Sequence, residues 1–117
     1  IITEGKFNKG VQEGVWIAYR LSNNNILEEA TYVNGELNGI IISYFDNGLI
    51  RFKGSYSNNK RNGLWIYYYE NGAIKAKGKI INNKPDGEWE IYNKDRTKQK
   101  QEETKRFFNY NDYYLKS

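Results

Sequence analysis

Between Gly63 and Gly87 the chain runs through one legible unit. Leu64-Trp65-Ile66-Tyr67-Tyr68-Tyr69 is a stretch of aromatic and β-branched residues, which predicts a strand. Glu70-Asn71-Gly72-Ala73 follows, and Asn-Gly predicts a tight hairpin turn in which both central residues take φ > 0. Ile74-Lys75-Ala76-Lys77-Gly78-Lys79-Ile80 then alternates apolar and polar, the period of a strand with one buried face. Asn82-Asn83-Lys84-Pro85-Asp86-Gly87 is rich in turn formers and reads as a longer turn. The unit is strand, tight turn, strand, longer turn.

The same unit recurs. Gly14-Val15-Trp16-Ile17-Ala18-Tyr19 and Gly87-Glu88-Trp89-Glu90-Ile91-Tyr92 repeat the phrase from Gly63 through Trp65 to Tyr68. A weaker copy stands at Gly39-Ile40-Ile41-Ile42-Ser43-Tyr44, with Ile41 in the Trp place. The glycines fall at 14, 39, 63 and 87, and a fixed period of that size marks one supersecondary unit stacked on copies of itself. Ser22-Asn23-Asn24-Asn25 replaces the Asn-Gly pair in the first copy with one extra residue, which accounts for the single longer step.

Second-strand columns sharpen the picture. Ile50, Phe52, Gly54 and Tyr56 form one buried column, as do Ile74, Ala76, Gly78 and Ile80; in the first copy Glu28 is the misfit among Ile26, Ala30 and Tyr32. The small residue of each column (Ala30, Gly54, Gly78) leaves room for an aromatic of the next strand. Trp65 and Tyr68 both recur although three residues apart, so either a bulge corrects the phase or both faces are partly covered. The expected fold is all-β: an array of successive antiparallel hairpins in an elongated twisted sheet. Residues 1–94 hold four repeats, and 95–117 hold a charged linker and an aromatic C-terminal cap.

Composition narrows the function. The chain has 117 residues, no Cys and no His, so disulfides, thiolate chemistry and the commonest general base and metal ligands are missing. No catalytic, cofactor-binding or metal-binding residues are assigned, and no cofactor is expected. Asp46 and Asp86 sit in turns, and Glu88 with Glu90 reads as a solvated face rather than a catalytic pair. The net charge is +4, compatible with an anionic partner but also with the heavy use of Lys beside Asn, Ile and Tyr.

The phrases Gly-x-Trp-x-x-Tyr, Glu70-Asn71-Gly72 and Tyr32-Val33-Asn34-Gly35 resemble MORN-type repeats, in the variant found in YwqK-type bacterial antitoxin-like proteins. The resemblance spans about Gly5 to Lys94. It implies a twisted sheet of hairpins without catalytic residues, and function by binding another protein, such as a cognate toxin. On that reading Gly14, Trp16, Tyr19, Gly39, Tyr44, Gly63, Trp65, Tyr68, Gly87, Trp89 and Tyr92 are scaffold. Two surfaces are candidate contact sites. Lys75, Lys77 and Lys79, extended by Arg51 and Lys53, form a basic stripe opposite the apolar column. Tyr67 and Tyr69 occupy positions that vary between copies: Ala18 and Arg20, Ser43 and Phe45, Ile91 and Asn93. A host surface protein or glycan is the alternative partner, and a lipid headgroup or nucleic acid on the lysine stripe is the third. An antitoxin is expected in the cytoplasm, and an adhesin at the cell surface after loss of a signal segment.

From Asp95 the repeat pattern is expected to fail. Lys98, Lys100, Glu102 and Thr104 would fill the apolar column, which charged residues cannot do as a core. Phe107 to Leu115 gathers five aromatics and is expected to cap the last hairpin.

Overall fold

The computed structural model describes residues 1–99; Lys100, Glu102, Thr104 and the expected cap at Phe107 to Leu115 lie outside them. Nine strands follow one another: β1 (Ile2–Asn8), β2 (Val11–Tyr19), β3 (Ile26–Val33), β4 (Glu36–Tyr44), β5 (Ile50–Ser57), β6 (Lys60–Arg61), β7 (Gly63–Tyr68), β8 (Ile74–Ile81) and β9 (Lys84–Ile91). They pair in sequence order into one antiparallel sheet, β1-β2-β3-β4-β5-β7-β8-β9, with short β6 also on β5. The fold is all-β, a run of MORN-like hairpins in an open sheet, as the repeats predict.

The two kinds of turn exchange roles. The two-residue turns with both residues at positive φ are Lys9-Gly10, Asn34-Gly35, Asn58-Asn59 and Asn82-Asn83. Ile81 pairs directly with Lys84, so the segment expected as a longer turn is the tight one, and its remainder is strand. At Glu70-Asn71-Gly72 only Gly72 has positive φ. Gly72 N–H donates to Tyr69 O (3.0 Å) and Tyr69 N–H to Ala73 O (2.8 Å), a three-residue loop that ends on a left-handed glycine. Asn71 Oδ1 locks it by accepting from Ala73 N–H (2.9 Å).

Beyond β9 the same loop recurs in disguise. Arg96 N–H donates to Asn93 O, Asn93 N–H donates to Thr97 O, and Asp95 Oδ1 accepts from Thr97 N–H. Asp95 and Arg96 (φ 75°) thus take the places of Asn71 and Gly72. The hairpin pattern, expected to fail at Asp95, continues through a Tyr92–Lys98 bridge to Gln99, whose N–H donates to Ile91 O (2.7 Å).

Bulges resolve the phase problem. Gly14, Gly39, Gly63 and Gly87 all have positive φ, between 69° and 118°, so the recurring glycine is a backbone requirement of each first strand. A second irregularity falls between Tyr67 and Tyr68, where Tyr67 opposes Ala76 but Tyr68 opposes Ile74. Lys75 is the extra residue. Leu27 and Arg51 hold the same place in β3 and β5. Trp65 and Tyr67 therefore share one face and Tyr68 the other. Ile50 and Ile74, expected in the buried columns, are carried to the Tyr68 face by the same bulges.

The core lies on the Trp face. Trp65 is 1% exposed and packs with Tyr67, Trp89, Ile41, Ala30, Ala76, Ile80 and Ile91. The small-residue columns do what the pattern predicts: a Cβ built on Gly5, Gly54 or Gly78 would fall inside the indole of Trp16, Trp65 or Trp89. Each indole also donates Nε1–H to the carbonyl one residue beyond its glycine, Lys6, Ser55 or Lys79, at 3.0–3.1 Å. In the second copy both partners change together, since Ile41 pairs with Ala30.

Candidate protein-binding cleft

Repeats differ most where the first strand leaves the sheet. The place of buried Tyr67 is held by Ala18 in β2 and by Ser43 in β4. The place of Tyr69 is held by Arg20 and Phe45. Beside Arg20 and Phe45 lies a cleft of about 450 Å³ on the rim formed by the three-residue loops. Arg20, Tyr44, Phe45, Asp46, Asn47, Arg51 and Glu70 line it.

Its electrostatics are mixed. Arg20 Nε lies 2.9 Å from Asp46 Oδ1, an exposed pair of modest strength. Arg51, set off the strand alternation by its bulge, turns its Nε–H to Ser43 Oγ (3.2 Å) and its guanidinium over the Phe52 ring (5.3 Å). Burial lifts the Glu28 carboxyl above its ordinary range, and the nearby Arg51 partly offsets that. Glu28, the misfit of its column, thus has a cationic neighbour in the next repeat. The loops that build the rim are tied from repeat to repeat, with Asn47 Nδ2 donating to Glu70 O (2.9 Å) and Asn71 Nδ2 to Lys94 O (3.1 Å).

The two aromatic candidates lie elsewhere. Tyr67, expected at a contact surface, is 6% exposed and packs among Phe52, Trp65 and Trp89 at centroid distances of 5.8–6.4 Å. The bulge puts it on the core face. Burial raises its pKa well above the ordinary phenol value, and its Oη is enclosed without a hydrogen-bond partner. Tyr67→Phe is therefore expected to leave the fold intact and to raise unfolding free energy by about 1 kcal/mol, read from urea melts. Tyr69 is a staple between repeats: its hydroxyl donates to Tyr92 O (2.8 Å), and the Lys75 and Lys94 ammoniums sit 5.6 and 5.9 Å from its ring.

The five cations do not form one stripe. Lys53, Lys77 and Lys79 remain on the face opposite the core, while the bulges take Arg51 and Lys75 out of line. Lys77 Nζ is 3.4 Å from Glu90, which also accepts from Tyr92 Oη at 2.6 Å. Lys53 Nζ lies 6.0 Å from the Tyr68 ring. Only Lys79 is both exposed and clear of such contacts, beside Asp86 across the strand pair. Among the described residues no group of three or more acidic side chains is arranged to hold a metal ion.

Arg61, β7, the Asn71 loop and β8 to Asn82 make up one complete hairpin unit. A family profile, the MORN repeat variant, matches residues 61–82. The chain therefore carries a MORN-like repeat, and the structural period extends the same hairpin geometry on both sides of the matched stretch. Comparison with curated proteins gives no match. The sequence columns singled out Tyr67 and Tyr69, and the structure packs both against the following hairpin, while the cleft is lined by their counterparts Arg20 and Phe45. Arg20 and Phe45 were the signal, as the positions where the copies disagree in size and charge.

Proposed function

We propose that the chain is a non-enzymatic protein-binding repeat domain that grips a polypeptide segment in the rim cleft. The observation that carries this reading is the coincidence of the cleft with the positions that vary between copies. Arg20 and Arg51 offer guanidinium forks to a carboxylate or carbonyl, Asp46 and Glu70 offer acceptors to a cation, and Phe45 offers apolar area between them. Mixed charge around an aromatic suits a protein loop better than a polyanion. A lipid headgroup or nucleic acid finds little support, because the cations are dispersed over two faces and partly engaged. Within protein binding, the antitoxin-like mode remains the favoured form: a one-to-one complex that covers the active surface of a cognate toxin.

The test uses a partner co-purified with the tagged full chain and identified by mass spectrometry. Phe45→Ala and Arg51→Ala are expected each to weaken that complex by about 30-fold, the scale of an interface hot spot, with the free chain still folded in its melting curve and Arg51→Ala melting somewhat lower for loss of the Ser43 bond. Lys79→Ala, on the far face, is expected to change affinity by less than about threefold. A complex weakened by Lys79→Ala and indifferent to the cleft variants would place the contact on the opposite face.

A further inference from the structure

The face opposite the core carries an ordered charge pattern whose members contact only neighbours within the sheet. Reading across the sheet through directly paired residues, one row runs Glu4, Ile17, Glu29, Ile42, Lys53, Ile66, Lys77 and, on the last strand, Glu90. From β1 to β8 charged and isoleucine positions alternate, with Glu4 and Glu29 on one side of Ile42 and Lys53 and Lys77 on the other; Glu90, beyond Lys77, is ion-paired to it at 3.4 Å. The neighbouring row contains Val15, Ile40 and Leu64, which stay 56%, 63% and 58% exposed. The other neighbouring row holds Tyr19, Tyr44 and Tyr68, each laid toward the Glu4, Glu29 or Lys53 side chain of the preceding strand. It is an apolar sheet face with acids before its central Ile42 and lysines after it, closed at β9 by Glu90.

We infer that this face binds a second copy of the chain, sheet against sheet, about a two-fold axis that runs between them parallel to the strands at Ile42. A closed two-fold contact requires a self-complementary patch. Reversing the row about Ile42 sets Glu29 against Lys53 of the other copy, Ile17 against Ile66, and Glu4 against Lys77. The rows beside it also match. Val15 meets Leu64, Thr31 meets Ser55, Ile40 meets its own copy, and Tyr19 meets Tyr68. At the end of the Val15 row Lys6 meets Lys79, a like pair, but each has an acid directly across its own strand pair, Glu13 and Asp86. The alternative two-fold axis, perpendicular to the strands, would stack Glu29 on Glu29 and Lys53 on Lys53. Charge thus selects one of the two face-to-face arrangements.

Area permits it. From β1 to β8 the row crosses six strand spacings, about 29 Å at about 4.8 Å each, and three rows of side chains cover about 20 Å along the strands. That is about 600 Å² per copy and about 1,200 Å² in all, at the small end of specific interfaces. A Kd of about 1–100 μM is expected. The contact shares only Tyr44 with the rim cleft.

The experiment is sedimentation equilibrium on the full chain and three variants, with melting curves to verify folding. The wild type is expected to approach twice 13.8 kDa with rising concentration. Glu29→Lys and Lys53→Glu, each alone, are expected to weaken self-association at least tenfold, because each puts two like-charge pairs into the homodimer. Mixing the two variants removes every like pair and is expected to restore association to within about threefold of wild type. The double variant Glu29→Lys/Lys53→Glu is expected to self-associate as the wild type does. A chain that stays monomeric up to about 1 mM overturns the inference. So does a dimer indifferent to both single changes, or singles that fail to recover on mixing.

Discussion

Trp65→Ile and Gly54→Ala are each expected to destabilise the protein strongly, and their combination to cost markedly less than the two together. The physical basis is the interlock between neighbouring strands. The Trp65 indole lies on the Cα of Gly54, and its Nε1–H reaches Ser55 O at 3.1 Å. The ring also packs edge-on to Tyr56 and near Phe52 and Tyr67. Replacing it by isoleucine removes most of a buried ring and one hydrogen bond, about 3–4 kcal/mol. A methyl on Gly54 would occupy space held by ring atoms, so the indole must leave its position; overpacking of that kind costs about 1–3 kcal/mol. With isoleucine present the methyl has room and fills part of the lost volume. A coupling of about 2 kcal/mol is expected from a double-mutant cycle in urea. The second repeat already carries this combination as Ala30 and Ile41. The reverse exchange there, Ala30→Gly with Ile41→Trp, is expected to be tolerated only as a pair. Additive costs in both cycles would mean that the glycine is retained for some reason other than the indole.

The same interlock explains which parts of the fold could be read from the chain and which could not. Gly, Trp and Tyr recur at a fixed period because each has a geometric duty, and where the Trp is replaced, at Ile41, its small partner changes with it to Ala30. The glycine takes positive φ at a bulge, the indole covers the small residue of the preceding strand, and the tyrosine reaches back over the opposite face. Turn types were exchanged because Asn-Asn and Asn-Gly carry nearly the same local signal. The register of the flanking strands, a long-range property, decides which of them closes in two residues. The basic stripe was misdrawn for a related reason. Strict alternation assumes an unbroken strand, and one extra residue at Arg51 or Lys75 moves everything before it to the other face.

The cleft was legible only as a rule. Positions that vary between copies do line it, at Arg20 and Phe45. The particular tyrosines singled out are the members of those columns that a neighbouring repeat covers. Tyr67 has Trp89 beside it and Tyr69 has the Tyr92 carbonyl, and both contacts belong to the following hairpin. In the earlier copies the counterparts of Tyr69, Arg20 and Phe45, line the cleft instead. Whether an aromatic is a contact or a packing residue depends on what its next repeat supplies, which no single column reports.

Asn83→Ala is expected to cost about 3 kcal/mol, and Asn83→Gly about half of that. Asn83 holds φ at 69° in the two-residue turn before β9. From there its N–H donates to Arg61 O (3.1 Å), and its Oδ1 accepts from Arg61 N–H (2.8 Å) and lies 3.4 Å from Arg61 Nε. Arg61 is only 3% exposed, and its Nη1 is enclosed without a partner, so it has no reserve of hydrogen bonds. Alanine brings two losses: about 1–2 kcal/mol for a Cβ in the left-handed region, and about 1–3 kcal/mol for leaving a buried N–H unsatisfied. Glycine removes the first and keeps the second, so the difference between the variants isolates the backbone term. Asn83→Asp retains the acceptor and adds charge beside the guanidinium, and is expected to be neutral or stabilising. Asn59 makes the equivalent bond to Leu37 N–H (2.8 Å), where no buried cation is at stake, and Asn59→Ala is expected to cost less than Asn83→Ala. The order Asp, Gly, Ala at residue 83, read as urea midpoints, follows from these two terms. Equal midpoints for glycine and alanine would show that the turn carries no strain, and a glycine variant as stable as wild type would show that Arg61 finds another partner.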